Sequence, residues 1–392
     1  VVLTNGCVAT EVISGEGSQP ALKAIILDPD SGNDSPDPVR VHPSLVRVLK
    51  KHQAEGIKFL YNCTIESLSR LNEPGGGAIL GHCMGLGILG HCMGLGKTLQ
   101  IIAFLHTILS HTRISENIHK VLVFAPKNVL LNWINEFDKW LFDNDPELDG
   151  VLTSEIDSLS EIDSLTDNSD RLLAIKRWAK SKKPSVLVIG YDMFRRLTGS
   201  DEDRNVPKRG GKVRSQKPKN KSKTEKELDT PHMIICDEPH MIICDEGHKL
   251  KNYESAISKT INRIVARRRV CLTGTPLQNN LSEYYCMVMV NFVKPNLLGN
   301  IKEFKNRFEH IINRGRTADA SREDVVFMKR RCHVLHDRLR GILDRRDYTV
   351  LKESLPPKQE YVLMIRLTQA TFSLKLSFTD IFLGFAERNN TL

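Results

Sequence analysis

ILGHCMGLGILGHCMGLGKT, residues 79–98, is the stretch whose reading decides the fold. It ends in Gly94, Gly96, Lys97 and Thr98, the tail of a phosphate-cradling turn. Glycines let backbone N–H groups close on a polyphosphate, a lysine supplies charge to the β- and γ-phosphates, and a threonine hydroxyl reaches Mg²⁺. The generic pattern wants glycine five residues before Gly96, where this chain has His91 with Gly90 one step earlier, so the loop alone matches in part. The residues after it strengthen the match: TLQIIAFLHTIL sets Leu99, Ile102, Leu105 and Ile108 at the helical spacing that such a loop must open into.

The loop is written twice. ILGHCMGLG occupies 79–87 and again 88–96, but only the second copy runs into Lys97 and Thr98. Phosphate binding is therefore expected of the second copy, with the first extruded or replacing part of the strand. SEIDSL stands at 154 and 160, HMIICDE at 232 and 240, and Met-Val at 287 and 289. A solenoid has one period, whereas these doublings have four, so they read as local duplications and not as a repeat fold.

The chain has 392 residues, 40% hydrophobic and 26% charged, which suits a globular protein of two domains or of one domain with large insertions. Nine cysteines without a Cys-x-x-Cys pair argue for a reducing compartment over a disulfide scaffold or a zinc site. Residues 74–96 carry no formal charge, yet their glycines and the histidines His82 and His91 argue against a membrane helix. No signal peptide is visible, and both ends read as cuts in a longer protein. The net charge of +9 is matched by nine basic residues between Arg204 and Lys223, a stretch with no acid, so the remainder is neutral. That stretch reads as a disordered basic loop; solvation, phosphate-backbone contact and nuclear import remain open as its role.

Outward from the loop, residues from His42 keep a helical pattern through Leu45, Val48, Leu49, His52, Ile57 and Leu60, interrupted by Gly56. Gln53 in that helix is either a surface glutamine or an amide that grips an adenine edge with one donor and one acceptor. VLVFA (121–125), VLVIG (186–190), MIICDE in two copies and RRVCLTGTP (268–276) are short apolar runs bounded by turns and separated by helices. Such runs are parallel strands buried on both faces, so the expected class is α/β with active residues at the strands' carboxyl ends. PKNVLLNWINEFDKWL reads as a helix capped by Asn128, residues 143–170 as an acidic surface insertion, 279–345 as mostly helical, and 355–368 as a linker into a new strand.

Asp245 and Glu246 close the second MIICDE run. An acidic pair after an apolar strand is where a P-loop enzyme holds Mg²⁺ through the aspartate while the glutamate polarises the attacking water; the alternative is a plain strand-end turn. The second copy is preferred because in the first Pro239 restrains Glu238. Thr273, Gly274 and Thr275 form a small polar turn at the next strand end, suited to sensing a γ-phosphate.

HQAEGIKFL, MGLGKTLQ, DEGHKLKN, LTGTPLQNNLSEYY and LPPKQEYV, in this order, resemble the motifs of the Swi/Snf-type ATPases, the double-stranded-DNA translocases of the superfamily-two helicase group. His91-Cys92-Met93 where that family has Asp-Glu-Met, with APKNVLLNWINEF and NLLGNIKEFKNRF, is similar to the ATRX branch of chromatin remodellers. The resemblance covers roughly residues 26–368. It implies a RecA-like lobe over 41–290 with a mostly parallel buried sheet flanked by helices, after an extension at 1–40. A helical extension at 291–354 and the start of a second RecA-like lobe at 355–392 would come next.

By the same resemblance ATP and Mg²⁺ are the cofactors. Gln53, Met93, Gly94, Leu95, Gly96, Lys97, Thr98 and Leu99 would bind the nucleotide, Thr98 and Asp245 the metal, and Lys97 and Glu246 would be catalytic. Thr273, Gly274 and Thr275 would couple hydrolysis to movement, and Pro126, Lys127, Gln278 and Asn279 would face duplex DNA. The implied partners are double-stranded DNA and nucleosomes, in the nucleus, with no membrane. The expected function is an ATP-dependent DNA translocase represented by its first motor lobe, slow in turnover because the second lobe would carry the arginine fingers. The alternative is a catalytically inactive ATP- or DNA-binding chromatin fragment; an unrelated P-loop kinase or GTPase suits DEGH and TGTP poorly.

Overall fold

The computed structural model describes residues 24–28, 37–82, 94–141, 168–198, 236–237, 239–250, 255–274, 289–346 and 348–351. Up to Val350 these belong to one compact unit; a second unit begins at Leu351. Among the described residues six strands make one sheet: β1 (Gly77–His82), β2 (Lys120–Ala125), β3 (Ser185–Gly190), β4 (Met241–Cys244), β5 (Arg268–Thr273) and β6 (Leu343–Arg346). Their order is β3-β2-β4-β5-β1-β6, and every pairing is parallel.

Alternation along the strands sorts their side chains into two cores. Ala78, Leu80, Val121, Val123, Val270 and Leu272 face one helical layer, while Ile79, Leu122, Phe124, Ile242 and Cys271 face the other. Helices on both faces leave no wet side, which is why β1 to β4 are buried throughout and why their sequences read as unbroken apolar runs. The first layer holds α1 (Pro43–Val48), α2 (Lys51–Thr64), α3 (Lys97–Ser110), the single turn α4 (Thr112–Ser115) and α5 (Leu130–Leu141). The second holds α6 (Asn168–Lys180), α7 (Tyr191–Thr198), α8 (Ala256–Asn262), α9 (Met289–Val293) and α10 (Ile301–Phe304). A π-helical turn carries α10 into α11 (His310–Arg316), and α12 (Arg322–Leu339) comes after it. No helix among the described residues is long and apolar enough to cross a membrane.

The α/β class with a parallel sheet is as the apolar runs predict, and two local expectations are corrected. The helical pattern from His42 is two helices, because the chain extends at Leu49 and Lys50 and restarts with the Gln53 side chain accepting from the Lys50 N–H at 2.8 Å. Asn128 does not cap a helix: it lies in a 3₁₀ turn, Lys127–Val129, that precedes α5. The span 279–345 is mostly helical where it is described, as expected, and at its end Leu343–Arg346 adds β6 to the free edge of β1. Three of the four β6 residues are charged, which an edge strand tolerates because only one of its neighbours is another strand. The acidic insertion, apart from the start of α6 at Asn168, and the basic loop lie outside the described residues.

Candidate nucleotide site

The sheet order sets β5 between β1 and β4, so the turns after these three strands lie side by side at one edge. Gly81 on β1 is in register with Thr273, and Cys244 on β4 with Cys271. The phosphate loop, Thr273-Gly274 and Asp245-Glu246 therefore share the carboxyl edge, the place where open α/β sheets receive ligands.

The two copies of the loop motif divide the work. Ile79 to His82 of the first copy are the end of β1, and Gly94, Leu95 and Gly96 of the second lead into α3. Gly96 caps α3 in the left-handed region at φ 69°, a conformation that favours glycine, and a Cβ there would stand 2.2 Å from Gln53 Nε2 and so displace that amide. Lys97 and Thr98 come next, half-buried at the helix N-terminus where free N–H groups and the helix dipole favour an anion. Lys97 Nζ donates to the His82 carbonyl at 3.2 Å, which ties the ammonium to the end of β1. Leu99 is buried beneath the loop.

The acidic pair is held as tightly. Asp245 extends the ladder through its N–H to Phe124 O at 2.8 Å, and its carbonyl accepts from the Tyr191 hydroxyl at 2.7 Å. Its carboxylate accepts from Trp133 Nε1 at 2.8 Å on Oδ2 and from the Glu246 N–H at 2.8 Å on Oδ1. Burial raises the Asp245 carboxyl above its ordinary value; the Trp133 bond and the charge of Lys97 pull the other way. Glu246 takes φ 49°, an unusual conformation for a residue with a side chain, and its Oε2 meets His248 Nδ1 at 3.0 Å. A carboxylate steadied on one side by a histidine is suited to orienting a water molecule.

Trp133 and Tyr191 carry this arrangement and were not singled out by sequence reasoning. The signal for Trp133 was present: its indole sits on the buried stripe of α5 with Phe137 and Leu141, and a buried indole N–H needs an acceptor. Gln53 is placed against the phosphate loop with its Oε1 used by Lys50 and its Nε2 directed to Leu95 O at 3.4 Å and Gly96 O at 3.5 Å. To grip an adenine edge the amide would exchange these long bonds for ligand bonds. Pro126 and Lys127 lie apart from the phosphate loop, lining a cavity of about 600 Å³ with Asn128, Tyr191, Arg196 and Lys249. Met93, Thr275, Gln278 and Asn279 lie outside the described residues.

Hard oxygen donors suit Mg²⁺, and the pair proposed for it fits: each Asp245 carboxylate oxygen accepts one hydrogen bond and keeps a second lone pair, and the Thr98 hydroxyl opens α3.

The profile of the SNF2-related domain matches residues 52–374. The chain is 51% identical over 387 residues to a Caenorhabditis elegans protein named transcriptional regulator ATRX homolog, covering 98% of this chain and 27% of that one. It is 41% identical over 379 residues to the Homo sapiens transcriptional regulator ATRX, covering 95% of this chain and 14% of that one. Among solved structures, the Sulfolobus solfataricus SWI2/SNF2 ATPase core in complex with dsDNA aligns at 21% identity and a TM-score of 0.44, over 76% of this chain and 44% of its own.

Proposed function

The chain belongs to the SNF2-related domain family, and from that premise we propose that it is the nucleotide-binding lobe of an ATP-dependent double-stranded-DNA translocase that remodels chromatin in the nucleus. The observation that carries the reading is geometric: Lys97, at the start of the helix that follows β1, and Asp245, directly after β4, stand at the same carboxyl edge on either side of β5; burial raises the Asp245 carboxyl and the Lys97 charge opposes that rise. One charge of each sign at the strand ends that flank β5 is what a metal-nucleotide requires, since the phosphates need a cation and the metal an anion.

In this reading Gly94 to Thr98 wrap the phosphates, and Thr98 with Asp245 hold Mg²⁺, which when bound offsets phosphate charge. Trp133 and Tyr191 keep Asp245 in place before any ligand arrives, so little reorganisation is needed on binding. Glu246, steered by His248, orients the attacking water. Thr273 and Gly274, next to both loops, pass the state of the site to the chain beyond them. Lys127, with Arg196 and Lys249 in the neighbouring cavity, supplies positive charge for a duplex backbone.

Titration with labelled ATP, with and without Mg²⁺, tests the assignment. The chain should bind more tightly with the metal, and Asp245→Asn should lose that gain while keeping the metal-free affinity. A chain that binds no ATP under either condition would sink the translocase reading. Metal dependence that survives Asp245→Asn would move the metal to another ligand.

A further inference from the structure

Three side chains converge on one carbonyl of the phosphate loop. Leu95 O lies 3.1 Å from His52 Nε2, 3.3 Å from Gln100 Nε2 and 3.4 Å from Gln53 Nε2. A trans peptide is planar, with its C=O and N–H pointing opposite ways, and no cis peptide occurs among the described residues. Holding the Leu95 carbonyl inward therefore turns the Gly96 N–H outward, toward the place a phosphate would occupy.

Behind Gln100 the chain of bonds continues to the far edge of the sheet. Leu95 O can only accept, which assigns the Gln100 NH₂ to that side; the same NH₂ lies 3.3 Å from His82 Nδ1, which must then be an acceptor. The His82 proton is thus on Nε2, and it donates to Asp344 Oδ2 at 3.0 Å. His82 is fully buried at the end of β1, and Asp344 is on β6. Asp344 is itself held by Arg346 Nε at 3.0 Å, and Arg346 reaches Glu55 on α2 at 3.1 Å. Burial by itself raises the Asp344 carboxyl, but the His82 bond and Arg346 outweigh it and the group sits below its ordinary value, so it remains a charged acceptor.

The arrangement costs something. Gln100 Oε1 is buried without a hydrogen-bond partner, and a Cβ on Gly56 would stand 2.2 Å from it. An unmet buried acceptor costs about 1–3 kcal/mol, so a leucine of similar size would pack at least as well in a helix that only filled the core. The amide is explained by its two donor bonds and not by its packing.

We propose that Asp344 is a positioning residue for the phosphate loop: through His82 and Gln100 it holds the Leu95 carbonyl inward and so aims the Gly96 N–H at a bound phosphate. By reciprocity, a nucleotide in the loop stabilises β6, the last strand before Leu351. The nucleotide itself rests on the ATP reading above, but the link between β6 and the loop does not.

Amide hydrogen exchange on the whole chain, without ligand, tests that link. Asp344→Ala should speed exchange at residues 95–100 and leave β4 unchanged, and Asp344→Asn, which still offers an acceptor to His82, should restore the parent rate. In the second arm, titration with labelled ATP should give a Kd raised about fivefold in Asp344→Ala, at the low end of ordinary coupling. Adding Gln100→Met to that variant should raise it no further than Gln100→Met does alone, because both cut one chain of bonds. Unchanged exchange at 95–100 overturns the proposal, as does an additive pair. Should the parent bind no ATP, the ATP reading fails and the exchange arm still decides the link. Should Asp344→Ala not fold, Gln100→Met by itself must show the same faster exchange, or the proposal is wrong.

Discussion

The two duplicated motifs at the carboxyl edge are resolved by the fold in different ways. At the phosphate loop the copies share one job: ILGH of the first ends β1, MGLG of the second ends at the α3 cap, and residues 83–93 separate them. At the acidic motif one copy does everything, since Met241–Cys244 is β4 and Asp245-Glu246 come directly after it, while Cys236 and Asp237 of the other copy form a helical turn outside the sheet. The difference comes from what each motif must be continuous with. Asp245 is bonded to Phe124 and Tyr191 on β2 and α7, so it cannot be separated from its strand without losing those partners. The phosphate loop is fixed from α3 and α2, so extra residues between it and β1 leave both ends where they were.

The largest expected effect divides the two loop copies. Lys97→Ala removes a charge-assisted contact worth roughly 1.5–3 kcal/mol, about ten- to a hundredfold in Kd for labelled ATP. The double substitution Gly85→Ala, Gly87→Ala in the first copy should leave Kd within about twofold. If the glycine pair loses binding and Lys97→Ala does not, the copies have been assigned the wrong way round.

Each region also holds a buried histidine that sharpens the comparison in acid. Burial, with the neighbouring His42, pushes His106 on α3 down to about 4; burial, with His119, pushes His240 at the entry to β4 down to about 4 as well. A depressed folded pKa means that the unfolded chain takes up protons first, so the stability is present above about 6.5 and lost as pH falls toward 4. By pH 5 each site should have lost on the order of 1–2 kcal/mol. His240→Gln and His106→Gln should each flatten the fall in melting temperature between pH 7 and pH 5. A fall equally steep in both variants would place the acid sensitivity elsewhere.

Much of the candidate site could be read in the sequence because the chemistry proposed for it is local. Lys97 and Thr98 open a helix, and Asp245-Glu246 end an apolar strand, so type, spacing and element boundary coincide. Strand β6 could not be read, because LDRR has no apolar pattern and its place is supplied by the edge of β1, far away in sequence. Trp133 was legible as core but not as the partner of Asp245, since that contact joins positions separated by 112 residues. The bonds of Gln53 to the loop have the same origin: a glutamine in a helix announces neither its partner nor its direction. Local pattern places the groups proposed to react, and long-range contact decides what holds them.

The smallest effect is the one that tests the comparison most directly. Because the copies are tandem and identical, deleting 79–87 leaves the same sequence as deleting 88–96, with one ILGHCMGLG joined to Lys97. The deletion would let a single copy supply both the end of β1 and the phosphate loop, shortening the connection that must be closed on folding. Halving a closed loop is worth about 0.6 kcal/mol, or roughly 2 °C in melting temperature for a unit of this size. Deleting 232–239 likewise leaves one HMIICDE before Gly247, but it also removes Cys236, which is buried and whose carbonyl accepts from the Val265 N–H at 3.1 Å. Its gain from a shorter connection is therefore offset by lost packing, and its melting temperature should move less than that of the first deletion. The two deletions should separate further in ATP affinity: joining strand to loop changes the site, whereas the acidic motif is already whole in one copy. Equal shifts in melting temperature and equal affinities would show that the fold treats both duplications alike, and the division of work between the loop copies would then have no consequence.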